Sequence, residues 1–513
     1  MNQILDYSAY MNGVKKAGPV QTRLLTMGME ECEFGLETGA FDSVKNILPG
    51  ESELDGADAE LAVATQALKD LEERIGSLFV HRDILMDRLF RGQPGTEIDL
   101  NKVPVIWTGS RTIRFMYVML KRLEAEMANF EHDFVFVETN SAPYRLAWRL
   151  AREKGIPAGQ FFQGRVWPER VYLETGLGLY WHQARTAYRE MIDSPMKGDE
   201  LKKVTQKLQT IIQEKTKPVS SQWEVFKSAP GFLSRLHPLR LLAGSKDWLG
   251  TRARTATINP RVLPAQTYTP LAKYFRYRNG VKAKRFLTKH QTPFEIIRKK
   301  KYAMYFLHVQ PELSVEEMAF EYQDQVNTLR SILASLPADM SLVVKEHTPM
   351  LGRRQLDTYS QLSHMPGVIL ADPSVDSHLL VARAAVVVTL TGTAALEAIF
   401  YGIPAIVLGS VFFDCFNGIY KPESLQELNK LLSNPDKLTG ASKEDALRAI
   451  GSMLRASVPG MMSRDDTRLQ EIDLESAKNM LSELEKASHE LKQRIGDDSD
   501  YVCEKTYRSG FKN

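Results

Sequence analysis

The chain has 513 residues, 43% of them hydrophobic and 25% charged, which is the composition of a folded protein with two or three domains. Its apolar runs fall short of the roughly 18 residues that cross a bilayer, and its first residues lack the apolar centre of a signal peptide, so we expect a cytoplasmic protein. The cysteines argue against a disulfide framework or a zinc site, because the three stand far apart, at Cys32, Cys415 and Cys503.

Residues 1–100 are predicted to form a helical extension. Between residues 57 and 90, leucine and isoleucine recur at steps of three and four among many charges, a pattern typical of an amphipathic helix or a helix pair. Two roles stay open for these helices: packing against the next domain, or contact with another subunit in an oligomer.

Residues 101–218 are expected to form a first Rossmann-like domain, because short apolar strands alternate with helical segments. The predicted strands cover residues 103–107, 134–137 and 160–162, and the predicted helices cover residues 112–127, 144–154 and parts of 183–217. Ligands in such sheets bind beyond the carboxyl ends of the strands. Glu138 stands at such an end, where a carboxylate would act as a base toward an acceptor hydroxyl. A solvated acid or a helix cap is the alternative.

Residues 219–300 are predicted to form an irregular, basic linker or insertion. The whole chain has a formal charge of only +3, yet Lys227 to Lys301 contains eighteen Lys or Arg and two acids. This excess, with aromatic residues interleaved, would suit an anionic membrane surface or an acidic polymer. No nucleic-acid recognition motif accompanies it, so nucleic acid is not expected. A solvated basic face is the plain alternative.

Residues 301–440 are predicted to form a second Rossmann-like domain, followed by a helical extension over residues 441–513. The predicted strands cover residues 302–309, 341–345, 368–370, 386–390 and 405–408, and the predicted helices cover residues 318–336, 353–362, 377–383 and 471–495. The fold class is therefore α/β, with two doubly wound, Rossmann-like domains and helical N- and C-terminal extensions. The terminal helices are the places where subunits would associate.

The turn after the strand at residues 386–390 is the most informative stretch. Thr391, Gly392 and Thr393 lead into a short helix, which a threonine hydroxyl is expected to cap while the glycine lets a ligand approach the backbone. Free N–H groups at the start of that helix would bind a phosphate. Glu397, one turn further, would accept hydrogen bonds from two sugar hydroxyls. Helix capping alone is the alternative explanation for the threonines.

Two more strand ends are expected beside this turn. One strand of the second domain leads to Gln310, and the next leads to Lys345 and His347. With the turn they supply a cation, an imidazole, an amide and two hydroxyls, which would stabilise negative charge developing on a diphosphate or phosphodiester leaving group. Taken singly, Lys345 would pair with Glu346 and His347 would pack at the core edge. The coincidence of three strand ends favours a site.

The same strand ends carry a resemblance to a known family. The blocks HVQPELSVEEMAFEYQDQ, SLVVKEHTPMLGRR and VVVTLTGTAALEAIFYGIPAIVLG, in that order, are similar to the capsular and surface polysaccharide biosynthesis family that includes the bacterial Kdo transferases. The resemblance implies a GT-B-like fold, in which two Rossmann-like domains face each other across a cleft and the second holds a nucleotide-sugar donor. It assigns the family's Gln-Pro pair to Gln310 and Pro311, and its Lys-Glu-His-Pro block to residues 345–349, with Thr348 inserted before the proline.

A weaker likeness lies in the first domain. The segment QGRVWPERVYLE, residues 163–174, resembles a glycine-led segment of the same family, and it makes Glu174 a second candidate, beside Glu138, to act on the acceptor. No Asp-x-Asp pair follows a strand, so metal-independent chemistry is expected, as the resemblance also implies.

Together, the strand ends and the resemblance predict a glycosyltransferase. It would move a sugar from a nucleotide-sugar donor, CMP- or UDP-linked, to a surface (capsular) polysaccharide or a lipid-linked acceptor at the inner face of the membrane, without a metal or other cofactor. The catalytic candidates are Glu138, Glu174 and His347. The donor-binding candidates are Gln310, Lys345, His347, Thr391, Gly392, Thr393 and Glu397. Two alternatives stay open: a nucleotide-sugar epimerase of the same shape, and a non-catalytic scaffold at the membrane.

Overall fold

A computed structural model describes most of the chain. It describes residues 11–17, 20–26, 29–87, 90, 107–129, 132–138, 141–178, 180–214, 270–310, 312–460 and 474–494. Nearly all of the strand predicted at residues 103–107, and most of the basic region, lie outside these residues. Below, residues 11–214 are named the first half and residues 270–460 the second half.

The first half carries two small sheets. The first is a parallel pair of β1 (Arg23–Thr26) and β2 (Ser43–Asn46), and it corrects the expectation that residues 1–100 are purely helical. The second contains β3 (Val135–Phe136), β4 (Ala158–Gln163) and β5 (Arg170–Glu174). β3 and β4 are parallel, whereas β4 and β5 are antiparallel, so the described strands do not form the doubly wound sheet predicted for residues 101–218.

A tight turn causes the antiparallel return. The Gly164 N–H donates to the carbonyl of Arg170 at 2.7 Å, and a Cβ on Gly164 would lie 2.3 Å from the carbonyl oxygen of Trp167. Only glycine fits such a close backbone approach. The chain therefore turns back beside β4 instead of crossing over through a helix.

Helices pack against these sheets and against one another. They are α1 (Met29–Thr38), α2 (Glu51–Leu54), α3 (Asp58–Ile75), α4 (Val80–Met86), α5 (Gly109–Ala128), α6 (Ala142–Glu153), α7 (His182–Glu190) and α8 (Gly198–Glu214). Between residues 57 and 90, where one helix or a helix pair was predicted, the structure has the pair α3 and α4. Leu71 and Phe79 share one buried core with Phe115 and Leu146, so these N-terminal helices pack against the next domain.

The second half is built on a six-stranded parallel sheet. Its strands are β6 (Tyr302–Phe306), β7 (Ser341–Lys345), β8 (Val368–Ala371), β9 (Val386–Thr389), β10 (Ala405–Val407) and β11 (Ile419–Tyr420). Their order across the sheet is β11-β10-β9-β6-β7-β8, with every neighbouring pair parallel. The five predicted strands are confirmed. β11 was missed because two residues carry no readable pattern.

Helices flank this sheet on both faces. They are α9 (Pro270–His290), α10 (Phe294–Ile297), α11 (Leu313–Glu316), α12 (Gln325–Ser335), α13 (Leu356–Ser363), α14 (Ser377–Val381), α15 (Ala394–Phe400), α16 (Leu425–Ser433) and α17 (Lys443–Arg455). The helix predicted to begin at Met318 begins instead at Gln325, because the Asp324 carboxylate accepts hydrogen bonds from the N–H groups of Val326 and Asn327 and caps α12.

The linker prediction is corrected by α9. Residues 270–290 form a continuous helix where an irregular segment was expected, whereas residues 215–269 lie outside the described chain. Ala283 and Leu287 bury one side of α9 in the core of the second half. Lysine and arginine are good helix formers, so a basic sequence with a buried apolar side folds as a helix.

The chain returns to the first half at its end. α17 contacts α7 and α8, and the indole N–H of Trp167 donates to the carbonyl of Ile450 at 3.1 Å. β12 (Val458–Pro459) then pairs with β5, and α18 (Leu474–Arg494) follows. Among the described helices, none is both long and apolar enough to cross a membrane.

Candidate functional site

The carboxyl ends of β9, β6 and β7 lie side by side, as predicted from the sequence. The Nε2 atom of His308, just beyond β6, lies 3.0 Å from Thr389 Oγ1 at the end of β9. On the other side, Arg354 donates to Glu346 Oε2, just beyond β7, and to the carbonyl of His308, both at 2.6 Å. Tyr359 donates to the same Glu346 oxygen at 2.7 Å. Side chains from three adjacent strand ends therefore form one polar cluster.

Gln325 holds the segment that contains Gln310. Its side chain accepts a hydrogen bond from the His308 N–H at 2.8 Å and donates to the His308 carbonyl at 3.1 Å. It also donates to Gln310 Oε1 at 2.6 Å, while Gln310 donates to the carbonyl of Gln323 at 2.7 Å. The predicted Gln310 is thus fixed at the strand end; Pro311 lies outside the described residues.

Lys345 is the last residue of β7, His347 lies two residues beyond it, and the two side chains differ in exposure. Lys345 is buried, with its Nζ atom 5.9 Å from the centre of the Phe306 ring, whereas His347 is exposed. His308 is also buried, and burial, followed by the charge of His347, lowers the pKa of His308 to about 3. The His308 imidazole is therefore neutral at physiological pH, and His347 is close enough to influence it.

The turn at Thr391 differs from the prediction in two respects. The N–H of Thr391 donates to His308 Nε2 at 3.4 Å, and that of Gly392 donates to Thr389 Oγ1 at 3.0 Å, so protein atoms already satisfy both amides. Thr393, the residue before α15, has a helical conformation and its side chain makes no capping hydrogen bond, which corrects the expected threonine cap. α15 has only seven residues.

Gly392 is required for packing at this turn. A Cβ there would lie 2.7 Å from Thr389 Oγ1 and 3.1 Å from His308 Nε2. The Thr391 hydroxyl donates to the carbonyl of Ser314 at 2.9 Å. His308, which the sequence analysis did not select, is therefore the group around which the turn is built. Its position directly after a buried strand was the available signal.

Glu397 lies on α15, and its side chain is buried. Burial, and then the negative charge of Glu397, raises the pKa of Tyr401 one turn later. The Tyr401 hydroxyl lies 3.0 Å from Nδ1 of His378 on α14. Tyr401 therefore links α15, the helix that carries Glu397, to α14.

The two carboxyl candidates of the first half lie on different strands of the mixed sheet. Glu174 ends β5 and Glu138 stands two residues after β3, with β4 between these strands. Glu174 is buried, accepts a hydrogen bond from the Gly176 N–H at 2.9 Å, and has a pKa raised by burial to about 8. Glu138 is half-buried. The two acids do not come from adjacent strands.

The first half reaches the second through a buried charge network that the sequence analysis missed. Arg145 and Arg149 each donate to Asp83 at 2.7 Å, and Arg145 also pairs with Glu317 of the second half. All four side chains are at most 8% exposed. The spacing of Arg145 and Arg149, one turn apart on α6, was the only sequence signal.

Glu317 belongs to a segment that also supports the turn. The neighbouring carbonyl of Met318 accepts a hydrogen bond from Ser410, after β10, at 2.8 Å, and Ser314 accepts one from Thr391. A Cβ placed on Gly178, in the loop after Glu174, would lie 3.6 Å from the side chains of Glu317 and Met318 in the same segment. Residues 312–320 therefore connect the polar cluster with the first half.

The site offers a lysine, imidazoles, amides and hydroxyls at one sheet edge, a set suited to binding an anionic, hydroxyl-rich ligand. Within the described residues, no group of three or more His, Cys, Asp or Glu is arranged to hold a metal ion. The roles assigned above to individual residues stay predictions.

Comparison with known proteins supports the predicted family. The model of the family described as capsule polysaccharide biosynthesis protein matches residues 263–450, which confirms the resemblance for that part of the chain. The matched part contains the complete polar cluster. No curated protein sequence matches the chain.

Similar solved structures are distant. The Thermosulfurimonas dismutans KpsC β-Kdo 2,7 transferase shares 12% identity over 71% of this chain and 89% of its own, with a TM-score of 0.35. The KpsC β-Kdo 2,4 transferase of the same organism shares 10% identity over 62% and 78%, with a TM-score of 0.31. A putative UDP-N-acetylglucosamine 2-epimerase from Listeria monocytogenes shares 12% over 74% and 78%, with a TM-score of 0.24.

Proposed function

We propose, from the match of residues 263–450 to the capsule polysaccharide biosynthesis family, that this protein is a glycosyltransferase. It transfers a sugar from a nucleotide-sugar donor to a surface (capsular) polysaccharide or a lipid-linked acceptor. The observation that carries the proposal is the polar cluster at the ends of β9, β6 and β7, inside the matched region. In a GT-B-like arrangement, this edge binds the donor and the first half binds the acceptor.

The side chains at the carboxyl end of β7 are assigned to the donor phosphates. Lys345 supplies a positive charge and His347 supplies an exposed imidazole, and both favour the negative charge that develops on a nucleotide leaving group. We give the Thr391–Thr393 turn a smaller part, because its first two amides already bond to protein atoms. Gln310 positions the donor, and Glu397 accepts hydrogen bonds from the ribose. This chemistry needs no metal ion.

Glu174 is assigned to proton transfer at the acceptor, with Glu138 as the alternative. Its raised pKa keeps Glu174 protonated at neutral pH, so it starts as a hydrogen-bond donor or general acid. It becomes a base once the pH exceeds about 8 or a bound cationic or hydrogen-bonding group stabilises the carboxylate.

The acceptor places the protein at the inner face of the membrane. A lipid-linked acceptor is anchored in the bilayer, so we propose a peripheral protein that meets the acceptor from the cytoplasm. Association through the terminal helices, including α18, is a further part of this proposal. The proposal includes no binding of nucleic acid.

The proposal is tested with the full-length chain and sugar nucleotides. CMP-, UDP- and GDP-sugars are screened for thermal stabilisation, because a ligand that binds only the folded state raises the melting temperature. We expect one nucleotide class to stabilise the protein. That donor is then incubated with and without a membrane extract, and transfer of the sugar must require the extract. An epimerised sugar nucleotide formed from the donor alone would instead support the epimerase, and no stabilisation by any nucleotide would favour the scaffold.

A further inference from the structure

A line of exposed cations runs along α9, on the side away from the core. Its members, spaced four, three and four residues apart, are Arg278, Lys282, Arg285 and Lys289, and all four are exposed. At 100° per residue they fall within about 60° of one another, over a length of about 16 Å. Ala283 and Leu287 occupy the opposite side and are buried. These four cations are named the basic stripe.

Few acidic residues accompany the basic stripe in the sequence. From residue 278 to residue 300 the sequence has eight Lys or Arg and one acid, Glu295. That acid pairs with Arg298 at 2.5 Å, and no stripe side chain forms an ion pair with another described residue. Lys299 and Lys300 are exposed as well. A surface with one sign of charge attracts an anionic partner and repels a cationic one.

We infer that the basic stripe docks the protein on a bilayer surface rich in anionic phospholipid headgroups. Ala283 and Leu287, on the apolar side of residues 278–290, are already packed in the protein, so this part of the helix does not insert and its contact with the bilayer is electrostatic. Ile296 is 50% exposed among the cations that follow the stripe. An apolar side chain there suits the headgroup region, whereas a soluble acidic polysaccharide would gain nothing from it. The inference does not depend on the transferase activity.

Vesicle binding by the full-length protein tests this inference. The wild-type protein should sediment with vesicles that contain phosphatidylglycerol, should remain in solution with pure phosphatidylcholine, and should be released by raising the salt concentration. In the triple variant K282Q/R285Q/K289Q, the partition coefficient should fall on the order of a hundredfold, because each basic residue near an anionic surface contributes about fivefold.

A matched variant removes the same charge from other surfaces. K202Q/K430Q/K443Q replaces three exposed lysines on α8, α16 and α17, and it should retain most of the binding. Equal loss of vesicle binding in both variants would show that only the net charge matters, and it would overturn the assignment to α9. Wild-type binding to a soluble acidic polysaccharide, without binding to anionic vesicles, would overturn the membrane as the partner. Circular dichroism before the assay confirms that both variants are folded.

Discussion

A carboxyl group shielded from water is most stable when protonated, and the buried Glu174 is such a group. Its pKa rises from the ordinary 4.5 to about 8 because burial penalises the carboxylate. Between these two values the folded state binds more protons than the unfolded state. The free energy of unfolding contributed by Glu174 therefore falls as the pH rises through this window.

Glu174→Gln should remove this pH dependence, because glutamine does not titrate. We expect the stability of the variant, relative to wild type, to increase by on the order of a few kcal/mol between pH 5 and pH 9. Urea denaturation of both proteins at the two pH values measures the change. A difference in stability that is the same at both pH values would contradict a buried carboxyl of raised pKa.

The turn between β9 and α15 depends on close contacts with neighbouring side chains. It packs its glycine on a hydroxyl and an imidazole that come from two different strands. Because these partners lie at the centre of the polar cluster, an added methyl group would displace Thr389 or His308.

Gly392→Ala should lower the free energy of unfolding by about 1–3 kcal/mol, since the new Cβ would lie within 3.1 Å of both side chains. Gly109→Ala is the matched control, because no heavy atom lies within 4 Å of a Cβ at that position. The control should change stability by less than about 1 kcal/mol. Denaturant midpoints of the two variants measure their losses of stability. Equal losses would mean that the turn is not tightly packed.

Elements with strong local patterns were predictable from the sequence. The valine-rich runs at β7 and β9 identified buried parallel strands because β-branched residues fill both faces of such a sheet. The absence of the expected threonine cap was not predictable, since His308 comes from a distant part of the chain and accepts a hydrogen bond from an amide of the turn. The helix α9 was missed for a similar reason, because burial of Leu287 in a core built from distant residues of the second half decides its structure.

In the whole molecule, ion pairs join the halves in different environments, and two of them differ clearly in exposure. Arg145 and Glu317 are 5% and 8% exposed, whereas Arg455 and Glu200 are each 29% exposed. Removing one partner of a buried ion pair leaves the other charge buried without compensation. In an exposed pair, water and salt ions take the place of the missing partner.

Glu317→Gln should therefore destabilise the protein by about 3 kcal/mol, and Glu200→Gln by at most about 1 kcal/mol. Both substitutions keep the shape of the side chain and both affect a contact between the halves. Chemical denaturation of the two variants, with wild type as the reference, gives the comparison. Equal costs would show that burial does not govern the joint between the halves.

We propose that three neighbouring strand ends of the second half bind one nucleotide sugar. Calorimetric titration of His347→Ala with the stabilising sugar nucleotide tests it most directly, with His364→Ala, an exposed histidine at the end of α13, as the control. We expect the affinity to fall at least about tenfold in the first variant, as for loss of a charge-assisted hydrogen bond, and to be unchanged in the second. Wild-type affinity in the His347 variant would contradict the claim.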